Sequence, residues 1–281
     1  MEHAIFKLKA ARIKVDHTKI SVIDPEVALL LVAEFSRYRK HSPNLSLLGQ
    51  FGKKMNDDVV NVLAGVGYLN RFYPGFATAE GGKVRAGSRI YIGHRSGKKV
   101  TAKDVHILVN EFEEFYNMDH LSRVANKRLR SSLIELMDNA VSHAYERTGH
   151  QRWVEGIKWW MMGYKDLESG ETYFALMDQG IGMPATLKGR FMDKGILIPR
   201  NEEELVVTAF RQSMSRTGKK NRGLGLPRLR EFAEASDNGE LFVQTHHVRC
   251  WFNRSRGIRS ERSDIRLAGT LIVWKATVSL K

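Results

Sequence analysis

The stretch Leu133-Ile-Glu-Leu-Met-Asp-Asn-Ala-Val-Ser-His-Ala-Tyr145 decides how this chain is read. Leu133, Leu136, Met137, Ala140, Val141 and Ala144 recur at three- and four-residue steps, the spacing of a helix that buries one face. Glu135 and Asn139 stand four apart and project from one side of that helix, a turn from each other. A carboxylate one turn from a carboxamide can hold a metal-bound polyphosphate and a water together. Taken alone, the pair is better described as the solvated face of an amphipathic helix. Two further motifs give it another meaning. Asp178-Gln-Gly180-Ile-Gly182 and Gly223-Leu224-Gly225-Leu226 follow in order, and Gly269-Thr270 closes the series.

Each motif has its own chemistry. Asp178 ends the apolar run Thr172–Met177, which reads as a strand. A carboxylate there can accept a hydrogen bond from an exocyclic amine such as that of adenine. Gly180 and Gly182 let backbone approach a ring with no side chain between. A plain Asp-Gln-Gly turn would explain the glycines but not their place after the first motif. Gly223 and Gly225 precede a helix expected from Pro227 to Ala235, and glycines at a helix start expose N–H groups to an anion. The basic stretch Ser213–Arg222 reads as a lid whose cations meet phosphates.

Together these motifs resemble the ATP-binding domain shared by gyrase, the Hsp-type chaperones, histidine kinases and MutL proteins, the GHKL fold. The resemblance covers Lys127 to the end of the sequence, and Asn-Ala-Val-Ser-His-Ala-Tyr is most similar to serine-kinase anti-sigma factors. It implies an α/β fold, helices on a mixed sheet, with ATP and Mg2+ as cofactors. It also implies that Asn139 coordinates magnesium, that Glu135 polarises the attacking water or hydroxyl, and that Asp178 reads adenine. Gly180 and Gly182 would form the pocket wall, Thr270 would reach toward the aspartate, and Gly223, Leu224 and Gly225 would sit at the nucleotide. Asn221 stands where histidine kinases carry another glycine. No chemistry is assigned to His143. His120 lies too close to Glu135 to be the phosphorylated histidine of a separate hairpin, so a histidine kinase is not expected.

Upstream, a strand is expected over Ile13–Ile23. A helix follows, capped by Asp24 and opened by Pro25, ending in Arg37, Arg39 and Lys40. A strand near Leu45–Gly49, a helix over Asp57–Leu69 weakened by Gly65 and Gly67, and a strand at Arg89–Gly93 complete the pattern. Residues 1–100 are thus expected to form a small α/β unit resembling the STAS-like modules found beside such kinases. A connecting helix is expected over 101–126, opened by Thr101-Ala-Lys-Asp104, and the ATP-binding unit over 127–281. The latter is expected to bind ATP by itself. Of the adjacent Trp159 and Trp160, strand alternation places one against helices and one facing out.

Composition narrows the rest. The 281 residues are 42% hydrophobic and 27% charged, as in a globular protein. No apolar run is long enough to span a bilayer, and Met1–Ala10 lacks the core of a secretion signal. A single cysteine, Cys250, excludes an intrachain disulfide and gives no zinc spacing. A cytoplasmic protein without a membrane partner is expected. The net charge of +14 attracts polyanions. Six arginines, Arg249, Arg254, Arg256, Arg259, Arg262 and Arg266, lie in a segment read as a loop, with Trp251 and Phe252 among them. Such a segment can bind nucleic acid or an acidic protein, or be a solvated hairpin. Two functions follow: a regulatory ATPase or serine/threonine protein kinase whose nucleotide state controls a protein partner or second copy, or a nucleotide-gated binding module with little turnover.

Overall fold

The computed structural model describes residues 12–51, 55–73, 83–99, 110, 123–142, 159–193, 195, 197–211, 225–235 and 238–277. Its centre is a six-stranded antiparallel sheet. The strands are β3 (Lys83–Ala86), β4 (Arg89–Gly97), β5 (Trp159–Asp166), β6 (Glu171–Asp178), β7 (Glu240–Asn253) and β8 (Gly257–Thr277), in the order β3-β4-β5-β6-β8-β7. The long apolar runs of β5, β6 and the end of β8 reflect burial on both faces.

Period-two alternation divides each central strand between two cores. Trp159, Met161, Phe174, Leu176, Ile272 and Trp274 face one cluster, with α4 (Arg123–Ser142), α5 (Met183–Asp193), α6 (Glu202–Arg211) and α7 (Gly225–Ala235). Trp160, Met162, Tyr173, Ala175, Met177 and Val273 face the other. That second face is covered by α1 (Pro25–His41), α2 (Asp57–Gly65) and α3 (Tyr68–Phe72), with the parallel pair β1 (Arg12–Asp16) and β2 (Ser46–Gln50) joined through α1. The molecule has three layers, helices on both sides of one sheet.

This arrangement corrects the expected boundary at residue 100. β4 pairs with β5 from Arg89↔Asp166 to Gly97↔Trp159, so residues before 100 supply two strands of the sheet that carries Asp178. Trp160 changes with it. It is 2% exposed, because the helices of the first hundred residues occupy the side expected to face solvent.

Local departures have local causes. β1 stops at Asp16, whose Oδ1 accepts from Thr18 N–H at 2.9 Å and Thr18 Oγ1 at 2.6 Å and turns the chain. The expected helix over Asp57–Leu69 is two, broken at Gly67, where φ is +83°. Asn56 caps the first of them, accepting from Asp58 N–H at 2.8 Å. The hairpin β3–β4 extends the strand expected at Arg89–Gly93 in both directions, and α5 was not expected. The arginine-rich segment is the end of a long hairpin, Val248↔Arg262 to Asn253↔Gly257, the second of the two forms expected for it. The connecting helix expected over 101–126 lies outside the described residues except at 110 and 123–126, which are helical, and the lid over 213–222 lies outside them altogether.

Candidate functional site

The site forms where the end of β6 and the middle of β8 face α4. Asp178 is the last residue of β6 and pairs with Thr270 on β8. Both are nearly buried, at 7% and 6% exposure. The chain then turns sharply, and Asp178 Oδ1 accepts from Gly180 N–H at 2.8 Å. Burial pushes the Asp178 carboxyl up to about 7, against the Gly180 and Thr270 hydrogen bonds that favour its ionised form. A carboxylate so placed wants another donor.

Gly269 makes this approach of strands achievable. Its φ is +94°, and a Cβ there would lie 2.1 Å from the Asp178 carbonyl oxygen. No other residue type leaves that backbone in place. Thr245 on β7 ties the corner together. Its Oγ1 donates to Gly269 O at 2.9 Å, accepts from Met183 N–H at 3.0 Å, and lies 3.4 Å from Thr270 Oγ1. His246 Nε2 donates to Ile181 O at 2.6 Å, which fixes the proton on that nitrogen. Gly182 packs on the same imidazole, where a Cβ would come within 2.7 Å.

From α4 come Leu136, Asn139 and Ala140, which line one cavity with Asp178, Thr270, Leu176, Leu187, Ile272 and, from α7, Leu226. The cavity is apolar except at Asn139, Asp178 and the threonines. Its volume is about 70 Å³. Sites that enclose a whole small molecule run from roughly 300 Å³ upward, so the described walls hold one end of such a guest. Glu135 is half-buried one turn earlier on α4 and does not line the cavity. Gly225 is the first residue of α7, next to Leu226; Gly223 and Leu224 lie outside the described residues.

Three of the residues singled out from sequence, Asn139, Asp178 and Thr270, therefore meet around one cavity, and Gly180 and Gly182 shape the turn beneath it. Thr245 and His246 were missed. Both sit in β7 among other polar residues, Gln244, His247 and Arg249, that do not set them apart, and only the pairing Thr245↔Thr270 reveals what they hold.

Among the described residues, no three His, Cys, Asp or Glu side chains gather to hold a metal ion. A magnesium ion arriving on a polyphosphate does not need such a cage, since it keeps waters and phosphate oxygens and takes one or two protein ligands. Asn139, whose amide oxygen is a hard donor, lines the cavity with Asp178. The residues present fit an ion carried in by its ligand. No protein-family profile matches the chain, and no curated protein sequence matches it.

Proposed function

We propose that this chain is a GHKL-type protein that binds Mg-ATP and acts as a regulatory ATPase or protein kinase, its nucleotide state controlling a partner. The observation that carries the reading is the meeting of Asp178, Thr270 and Asn139 around one otherwise apolar cavity. The Asp178 carboxylate accepts from the adenine amine, a charge-assisted bond in a dry setting. Leu136, Ala140, Leu226 and Ile272 cover the faces of the ring. Asn139, which lines the same cavity, would hold a phosphate-bound magnesium ion through its amide oxygen, and the ion would neutralise phosphate charge. The start of α7 gives backbone N–H groups for a phosphate. Glu135, one turn away on α4, polarises the attacking water or partner hydroxyl.

The roles separate by substitution. Glu135→Ala retains ATP binding and lowers turnover by roughly 10²-fold or more, whereas Asn139→Ala loses magnesium-dependent binding as well. Labelled ATP, incubated with the pure chain with and without candidate partners, reads both. Equal turnover by an active parent and Glu135→Ala contradicts the role given to the glutamate.

The hairpin end of β7–β8 favours a second reading, a nucleotide-gated module that holds a polyanion and turns over little ATP. Arg254 and Arg256 are exposed at its tip, and Arg259 lies over the Trp251 ring at 4.6 Å. An acidic protein surface is the partner this reading favours over nucleic acid, and a parent without turnover under any condition would select it.

A further inference from the structure

A second cleft, of about 490 Å³, opens on the other face of the sheet, where α1 and α2 begin above the far ends of β6 and β8. Its volume is that of a small-molecule site. Its charge is opposite to that of the molecule. In a chain of net charge +14, four carboxylates line it, Asp24, Glu26, Asp58 and Glu171. The two cations present are already engaged: Arg89 Nε with Asp166 at 3.2 Å, and Lys275 Nζ with Glu240 at 3.1 Å. The starts of α1 and α2 bring about half a positive charge each, which offsets only part of the excess.

The acids alone would be a solvated cluster. Two buried features make them a site. Tyr91 is 0% exposed, lines the cleft, and its hydroxyl makes no hydrogen bond of acceptable geometry, although Arg89 lies near. An unsatisfied buried hydroxyl is costly unless a guest completes it. Tyr164 and Tyr173 form a stacked wall, ring centroids 4.7 Å apart, and Arg89 already lies 4.7 Å over the Tyr164 ring, so one cation is held against this buried pair and a guest would meet only the ring edges. Glu26 is tied to Tyr173 Oη at 2.5 Å and Glu171 to Tyr164 Oη at 2.6 Å. Desolvation raises the Glu26 pKa, and the nearby Asp24 adds to it, against the Tyr173 hydrogen bond and Lys275.

We infer that this cleft is a binding site for a small organic cation bearing one or more ammonium groups, held between Glu26, Asp58 and the tyrosine wall. The site is separate from the cavity at Asp178 and does not depend on the nucleotide reading.

Calorimetric titration of the full chain with putrescine and with spermidine, at matched ionic strength, tests it, with glutamate as the anionic control. The parent binds the amines and not glutamate. The pair Glu26→Gln and Asp58→Asn binds them at least about tenfold more weakly, the scale of one lost charged contact. The amide oxygen introduced by Glu26→Gln still accepts from Tyr173, and circular dichroism and Tm check the fold. Should the pair fail to fold, Asp58→Asn alone, at an exposed position, weakens amine binding about threefold. No amine binding at millimolar concentrations overturns the proposal. So does equal binding by a folded variant, or binding of glutamate as tight as that of the amines.

Discussion

At the scale of single residues, the account turns on the protonation of Asp178. Its carboxyl titrates near 7, above the ordinary aspartate value, because burial outweighs the hydrogen bonds from Gly180 and Thr270. The native state therefore binds more protons than the unfolded chain between about pH 4 and 7. This group's contribution to stability is complete below the unfolded value and is lost as pH rises through 7. Adenine binding works in the other direction, since the amine needs an ionised acceptor. ATP affinity is expected to rise by up to about tenfold per pH unit on going from pH 6 to 7, then level off. Titrations in buffers of different ionisation enthalpy would show proton release on binding at pH 6.5. Affinity independent of pH over that range would mean the carboxylate does not meet the ligand.

At the scale of elements, the hairpin end of β7–β8 behaves as two surfaces. Val248, Cys250 and Phe252 are buried, and the Phe252 ring lies 4.7 Å from Phe210 of α6. The alternate face carries Arg249, Trp251 and Arg259, with Glu261 paired to both arginines. Replacing Arg254, Arg256 and Arg259 by alanine should leave ATP affinity unchanged, since none reaches the Asp178 cavity. If the arm holds a nucleic-acid backbone, the same change lowers the salt slope of binding by up to about 3. Salt series with a short DNA duplex and single-stranded RNA, beside an acidic protein partner, separate these cases. An unchanged slope in the triple variant would place any nucleic-acid contact elsewhere. The alternation that defines this arm is visible in the sequence as Val248, Cys250 and Phe252, but the density of arginines between them reads as a loop. The helix at Pro25 and the strand ending at Asp178 were legible because the proline and the apolar periodicity agree there, although the Asp24 side chain makes no cap hydrogen bond. α5 was not, because Met183-Pro184 and Gly189 interrupt its pattern.

At the scale of the molecule, local signals carry no information about which face of a strand has a partner. Trp160, Met162 and Tyr173 alternate correctly with Trp159, Met161 and Phe174, yet only the contacts of α1–α3 show that both sets are inside. The Gln179 amide, next to Asp178, donates to Glu34 of α1 at 2.6 Å, so the first layer also touches the turn of the candidate site. A fragment of residues 127–281 would lose β3 and β4, leave β5 as an open edge, and bare that second apolar face. It is expected to be insoluble or aggregated, which sedimentation of the purified fragment checks; a monomeric fragment that binds ATP would restore a boundary near residue 126. ATP binding should therefore be measured on the full chain. Calorimetric titration of Mg-ATP into the parent and Asp178→Asn, at a pH above 7.5, tests the nucleotide assignment most directly. The account predicts saturable binding by the parent and a roughly ten- to a hundredfold loss in a variant with unchanged circular dichroism, the weight of one charge-assisted hydrogen bond. Equal affinity for the two proteins, or no binding by either, would contradict it.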